Sequence, residues 1–174
     1  MKKKIIITGG LGYIGTELCK LYSGISWHHK IIVIDNRFIS ERVNQIRNWN
    51  MEFIQGDILD KNLVNKYFKD ADVVHHLAGI TDVPRTKSES SKFQDDKIKE
   101  VGEKGTQNIL DIIKNDCKII FPSTHVVYEG IGDVKKDIKE NEITKPVLSY
   151  SSSKAVNEDQ LKKSGKNYII LRLG

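Results

Sequence analysis

The chain has 174 residues, 39% of them hydrophobic, with 28 basic and 23 acidic side chains. That is one domain's length with enough apolar content for a packed core, which excludes a disordered chain and an eightfold α/β barrel of roughly 250 residues. The net charge of +5 is spread among interleaved acids, which speaks against a nucleic-acid surface, and apolar runs of only a few residues exclude a membrane span.

In chain order, Lys4–Thr8 reads as a buried strand that runs at once into glycines. Gly12–Tyr22 has helical spacing, with Ile14, Leu18 and Leu21 on one side. Ile31–Asp35 and Met51–Gln55 read as strands and Lys61–Phe68 as a short helix. Asp72–Leu77 is a fourth strand. Lys92–Asn115 carries Phe93, Ile98, Val101, Ile109, Ile112 and Ile113 at mostly helical spacing. Lys118–Ser123, a helix over Ser149–Lys163 and a strand over Asn167–Leu173 complete the pattern. Thr81–Ser91 and Glu129–Val147 read as irregular. Alternating strands and helices, with continuously apolar strands, predict an α/β fold with a doubly wound parallel sheet of about six strands. Ligands of such a sheet bind beyond the strands' carboxyl ends.

Cys19 and Cys117 lie far apart and offer neither a disulfide framework nor a metal cluster. His28-His29 and His75-His76 are adjacent pairs, so on a strand they point to opposite faces and chelate poorly. Trp27 and Trp49 read as packing residues. Met1-Lys2-Lys3-Lys4 is basic, but Ile5-Ile6-Ile7 is too short for a signal-peptide core. A cytoplasmic location is expected.

The first strand is followed by Thr8-Gly9-Gly10-Leu11-Gly12-Tyr13-Ile14-Gly15. Glycine between a strand and a helix permits a tight turn and close approach of a pyrophosphate to the helix N-terminus. Asp35 closes the second strand, about 20 residues after Gly15, where a carboxylate holds ribose hydroxyls and repels a 2′-phosphate. This favours NAD, with NADP less favoured; Arg37 pulls the other way. Tyr150 and Lys154 stand one helical turn apart, so an ammonium lies near a phenol and is expected to lower its pKa. Ser123 and Thr124 put hydroxyls at the carboxyl end of the fifth strand.

Together these residues resemble the extended short-chain dehydrogenase/reductases, the NAD-dependent epimerase/dehydratase family acting on nucleotide sugars. Further motifs carry the likeness: Asp35-Asn36, Gly56-Asp57-Ile58, His76-Leu77-Ala78-Gly79, Gly105-Thr106-Gln107-Asn108-Ile109-Leu110, Ser123-Thr124-His125-Val126-Val127-Tyr128 and Leu171-Arg172-Leu173. The resemblance implies a three-layer Rossmann fold in which residues 1–174 form the NAD(P)-binding domain and the smaller substrate-binding region is absent. It implies Thr124, Tyr150 and Lys154 as catalytic residues, with Tyr150 as acid/base. Cofactor contacts would come from Gly9, Gly12, Tyr13, Ile14, Gly15, Asp35, Asn36, Asp57, Ile58, Leu77, Ala78, Gly79, Ser123, Tyr150 and Lys154, with no metal. The partner would be a nucleotide-sugar-like molecule, not nucleic acid or membrane. A homodimer could form through the 92–115 and 149–163 helices.

Two departures from the family pattern bear on chemistry. Its 4,6-dehydratases carry Thr-Asp-Glu where this chain reads Thr124-His125-Val126, which argues against dehydration. Gly102 interrupts the long helix and puts its regularity in doubt. The alternatives are a family reductase or dehydrogenase on a non-nucleotide alcohol or ketone, and a non-catalytic dinucleotide-binding module.

Overall fold

The computed structural model describes residues 2–81, 89, 91–132 and 137–174. The six strands are β1 (Lys4–Thr8), β2 (Lys30–Asp35), β3 (Glu52–Gln55), β4 (Val73–His76), β5 (Lys118–Thr124) and β6 (Asn167–Leu173). They pair in parallel in the order β3-β2-β1-β4-β5-β6. The connections reverse direction between β1 and β4, where the carboxyl ends open a crevice.

Alternation along the strands builds two cores. Ile6, Ile32, Ile34, Val74, Ile119 and Phe121 face one side, against α3 (Lys61–Phe68), α5 (Gly105–Ile112) and α6 (Ser149–Lys163). Ile5, Ile7, Ile31 and Val33 face the other, against α1 (Tyr13–Tyr22) and α2 (Ser40–Asn48). The result is the expected three-layer Rossmann fold.

Helix α2 is absent from the sequence reading. Its sequence is mostly polar and buries only Val43 and Ile46, too few apolar positions to show a period. The face of α1 also differs from expectation. Ile14 and Leu21 are largely exposed, while Gly15 and Cys19 are buried and Leu18 and Tyr22 pack beside them. The small Gly15 must meet the preceding turn, and this sets the helix rotation. Trp27 is 73% exposed, contrary to its reading as a packing residue, because it sits in the turn before β2. Trp49 does pack on the core.

The long helix is α4 (Lys92–Lys99), a π-helical turn at Glu100–Lys104, then α5. The irregularity expected at Gly102 is therefore this wide turn. It lets the backbone meet α6: a Cβ on Gly102 would collide with the Ser153 hydroxyl, and Asn157 Nδ2 donates to the Gly102 carbonyl at 3.1 Å. The segments expected to be irregular, Thr81–Ser91 and Glu129–Val147, lie partly outside the described residues. What is described of the second is tied back by bonds from Gly130 N to Lys145 O and Lys145 N to Val127 O, each 2.8 Å.

A buried ion pair joins β6 to α6. Glu158 accepts from Arg172 Nε at 2.9 Å and Nη2 at 2.6 Å, and from the Ser123 hydroxyl at 2.6 Å. Burial raises the Glu158 pKa, but bonds from Arg172 and Ser123 and the charges of Arg172 and Lys162 outweigh it, so the net shift is downward. A depressed carboxyl adds stability above its unfolded value near 4.5 and loses it as pH falls through the folded value. Arg172→Met should cost about 1–3 kcal/mol at pH 7, because the Glu158 carboxylate loses its two bonds from the guanidinium while keeping Ser123 and Lys162. Urea unfolding should show this loss shrinking below that range.

Candidate functional site

The site lies where β1 and β4 part. Gly9 has φ +65°, and a Cβ there would stand 2.8 Å from the Ala78 nitrogen. Only glycine combines that angle with that approach. Gly15 is equally confined, since its Cβ would lie 2.6 Å from Gly10 Cα. The turn closes through Gly12 N to Gly9 O at 3.0 Å, and Gly12 caps α1. The first-turn amides of α1, at the crevice mouth, have no partners within the helix, which suits an anion there. Tyr13 and Ile14, at that mouth, are 84% and 48% exposed; the Tyr13 side chain does not cap the helix.

Asp35, buried at the end of β2, accepts from Leu11 N and Arg37 N, each at 3.0 Å. It thereby fixes the glycine turn. Asn36 is exposed, and its carbonyl accepts from Gln55 Nε2. Asp57 caps its own turn by accepting from Leu59 N at 2.9 Å. Ile58 points into the core, where a Cβ on Gly105 would strike it, and its carbonyl accepts from Asn108 Nδ2 at 3.1 Å.

The loop after β4 is anchored from below. Ala78 N donates to Thr8 Oγ1 at 3.0 Å; Thr8 Oγ1 also bonds His76 Nδ1 at 3.0 Å, and His76 Nε2 bonds Thr106 Oγ1 at 2.9 Å. Burial, with the Lys154 charge, lowers the His76 pKa to about 3. His75 points to the opposite face and bonds the Tyr22 hydroxyl at 2.8 Å, as expected of strand neighbours. Among the described residues no cluster could hold a metal.

Leu77, Ala78 and Gly79 line a cleft with Gly102, Tyr150, Ser153 and Lys154. Lys154 Nζ donates to the Pro122 carbonyl at 2.9 Å and lies 4.4 Å from the Phe121 ring centroid and 5.8 Å from that of Tyr150. Burial lowers the Lys154 pKa to about 8. The expected lowering of the Tyr150 pKa is not found in this arrangement. Burial raises it, while the ammonium donates to the Pro122 carbonyl.

Ser123 and Thr124 diverge. Ser123 donates to Glu158, away from the cleft, while the Thr124 hydroxyl accepts from Val126 N at 3.2 Å and caps the 3₁₀ turn His125–Tyr128. Two supporting residues escaped the sequence reading. Glu158 is buried at 2% exposure; its signal was a carboxylate one turn past Lys154, facing the only arginine of β6. The Glu129 carboxylate accepts from Val147 N at 2.6 Å, Leu148 N at 2.7 Å and the Ser151 hydroxyl. It holds the start of α6, which carries Tyr150.

A model of the NAD dependent epimerase/dehydratase family matches residues 5–174. A dTDP-D-glucose 4,6-dehydratase from Dictyostelium discoideum is 31% identical, over 95% of this chain and 41% of its own length. A UDP-glucose 4-epimerase from Neisseria meningitidis serogroup C is 30% identical, over 90% of this chain and 46% of its own. Among solved structures, a UDP-glucuronic acid 4-epimerase variant from Bacillus cereus, in complex with NAD and a fluorinated UDP-sugar, has TM-score 0.79 and 28% identity. The match covers 97% of this chain and 55% of that one. The UDP-glucose 4-epimerase from Brucella ovis, in complex with NAD, has TM-score 0.76 and 27% identity over 98% and 51%. The chain thus spans about half the length of these relatives.

A lysine whose folded pKa is depressed to about 8 binds fewer protons than the unfolded chain up to its ordinary 10.5. It lowers stability at neutral pH, and stability recovers as pH rises through that window. Lys154→Met should stabilise the protein by about 1–3 kcal/mol at pH 7. Paired thermal melts should show the gain disappearing between pH 8 and pH 10.5.

Proposed function

This chain belongs to the NAD dependent epimerase/dehydratase family, and we propose that it is the NAD-binding portion of a nucleotide-sugar epimerase. The observation that carries the reading is the cradle between β1 and β4. Its backbone is tight enough to exclude a Cβ at Gly9 and Gly15, and it opens on the N-terminus of α1. A dinucleotide fits these residues. Its pyrophosphate would lie over the Gly9–Gly15 turn, its adenosine ribose at Asp35, and its nicotinamide end in the cleft of Ala78, Tyr150 and Lys154. NAD bound there supplies the hydride acceptor.

Tyr150 then removes the proton of a sugar hydroxyl, and Thr124 orients that hydroxyl from the end of β5. The Thr124 hydroxyl, which accepts from Val126 N, keeps its own proton and a second lone pair for substrate. Lys154 sits within reach of both the Tyr150 ring and the sheet edge. A turn of its ammonium from the Pro122 carbonyl toward the ribose and phenol favours the phenolate. Epimerisation is favoured over dehydration because His125 and Val126 follow Thr124 where dehydration would need acids. His125 is turned outward, its Nδ1 bonding the Leu173 carbonyl at 3.1 Å. In a dimer, the helices over 92–115 and 149–163 would form the contact surface.

The test is calorimetric titration of the purified chain with NAD, followed by UDP-sugars. NAD should bind. Gly12→Leu should abolish binding, since a Cβ there already lies 3.1 Å from the Gly9 carbonyl oxygen. Tyr150→Phe should leave NAD affinity within about twofold and remove any turnover, as loss of an acid/base typically costs 10²–10⁴-fold. A folded chain that binds no NAD would sink the reading.

A further inference from the structure

The Asp35 carboxylate is fully committed within the protein. Oδ2 accepts from Leu11 N at 3.0 Å and Arg37 Nη2 at 3.4 Å; Oδ1 accepts from Arg37 N at 3.0 Å and Arg37 Nε at 3.2 Å. A carboxylate offers about four lone-pair directions, and all four are used. The four bonds are not equivalent. The two from main-chain amides hold the glycine turn to the end of β2 and cannot leave without unmaking it. The two from the guanidinium come from a side chain that is 56% exposed, and such a bond is cheap to give up.

A ribose presents two adjacent hydroxyls. Both can donate to Asp35 only from where the Arg37 guanidinium now lies. The neighbouring cation Arg42 is engaged elsewhere, on the Leu11 carbonyl. We propose that Arg37 is the specificity-determining residue of the adenosine end. It competes with a 2′,3′-diol for Asp35, and once displaced it stands beside the 2′ position as the cation for a 2′-phosphate. This rests on the dinucleotide reading above. The chain would therefore bind NAD against an internal competitor and tolerate NADP better than Asp35 alone would permit.

Calorimetry on the wild-type chain, Arg37→Met and Arg37→Lys, with NAD and NADP at one fixed ionic strength, tests this. Arg37→Met should bind NAD about three- to fivefold tighter, the worth of an exposed ion pair. It should bind NADP at least about tenfold weaker, the worth of a lost bond to a charged group. Arg37→Lys keeps the charge without the two-pronged grip, so it should gain NAD affinity while retaining NADP. An unchanged ratio of the two affinities in Arg37→Met, or weaker NAD binding in both variants, overturns the proposal and leaves the dinucleotide reading standing. A folded wild-type chain that binds neither nucleotide overturns both.

Discussion

The carboxyl edge of the sheet depends on how closely the turn after β1 approaches the loop after β4. The missing Cβ of Gly9 permits the approach, and a buried hydrogen-bond chain holds it. Thr8 Oγ1 accepts from Ala78 N and bonds His76 Nδ1. His76 Nε2 bonds Thr106 Oγ1, so both ring nitrogens are engaged. Burial, with the Lys154 charge, keeps the ring neutral, its pKa lowered to about 3. One histidine thereby joins β1, β4 and α5 at the point where the sheet's connections reverse.

The same crowding sets the chemistry of Lys154. An ammonium packed against Phe121 with one carbonyl partner is held at a cost to stability. The raised Tyr150 pKa follows from the same burial. Both groups depart from their ordinary values because burial disfavours their charged forms.

Much of this was legible in the sequence. Apolar β-branched runs placed all six strands to within about a residue; β1, β2, β4 and β5 are largely buried, which leaves little ambiguity. The glycines and Asp35 marked the crevice, since their spacing serves a strand–turn–helix and little else. Packing made by small or polar residues was hidden. The buried face of α1 is built on Gly15 and Cys19, which a search for large apolar residues misses. Helix α2 shows only two buried side chains. Gly102 announced an irregular helix but not its form, because the wide turn is fixed by Ser153 and Asn157 on a helix some 50 residues later. The orientation of Lys154 was likewise invisible, since its carbonyl partner comes from β5.

Helix α6 shows why the Tyr150–Lys154 pair could be found while its supports could not. The helix buries Ser151, Ser153, Asn157 and Glu158 with a single large apolar residue, Leu161. A helix without an apolar stripe ordinarily has little to hold it in place. Here hydrogen bonds do so at three points. Glu129 takes the amides at its start, Glu158 reaches Ser123 and Arg172, and Asn157 and Gln160 donate to the carbonyls of Gly102 and Glu103 in the π turn. Hydrogen bonds are directional where apolar contact is not. A helix fixed this way has its rotation set as well as its distance, which a phenol and an ammonium one turn apart require if both are to face the same cleft.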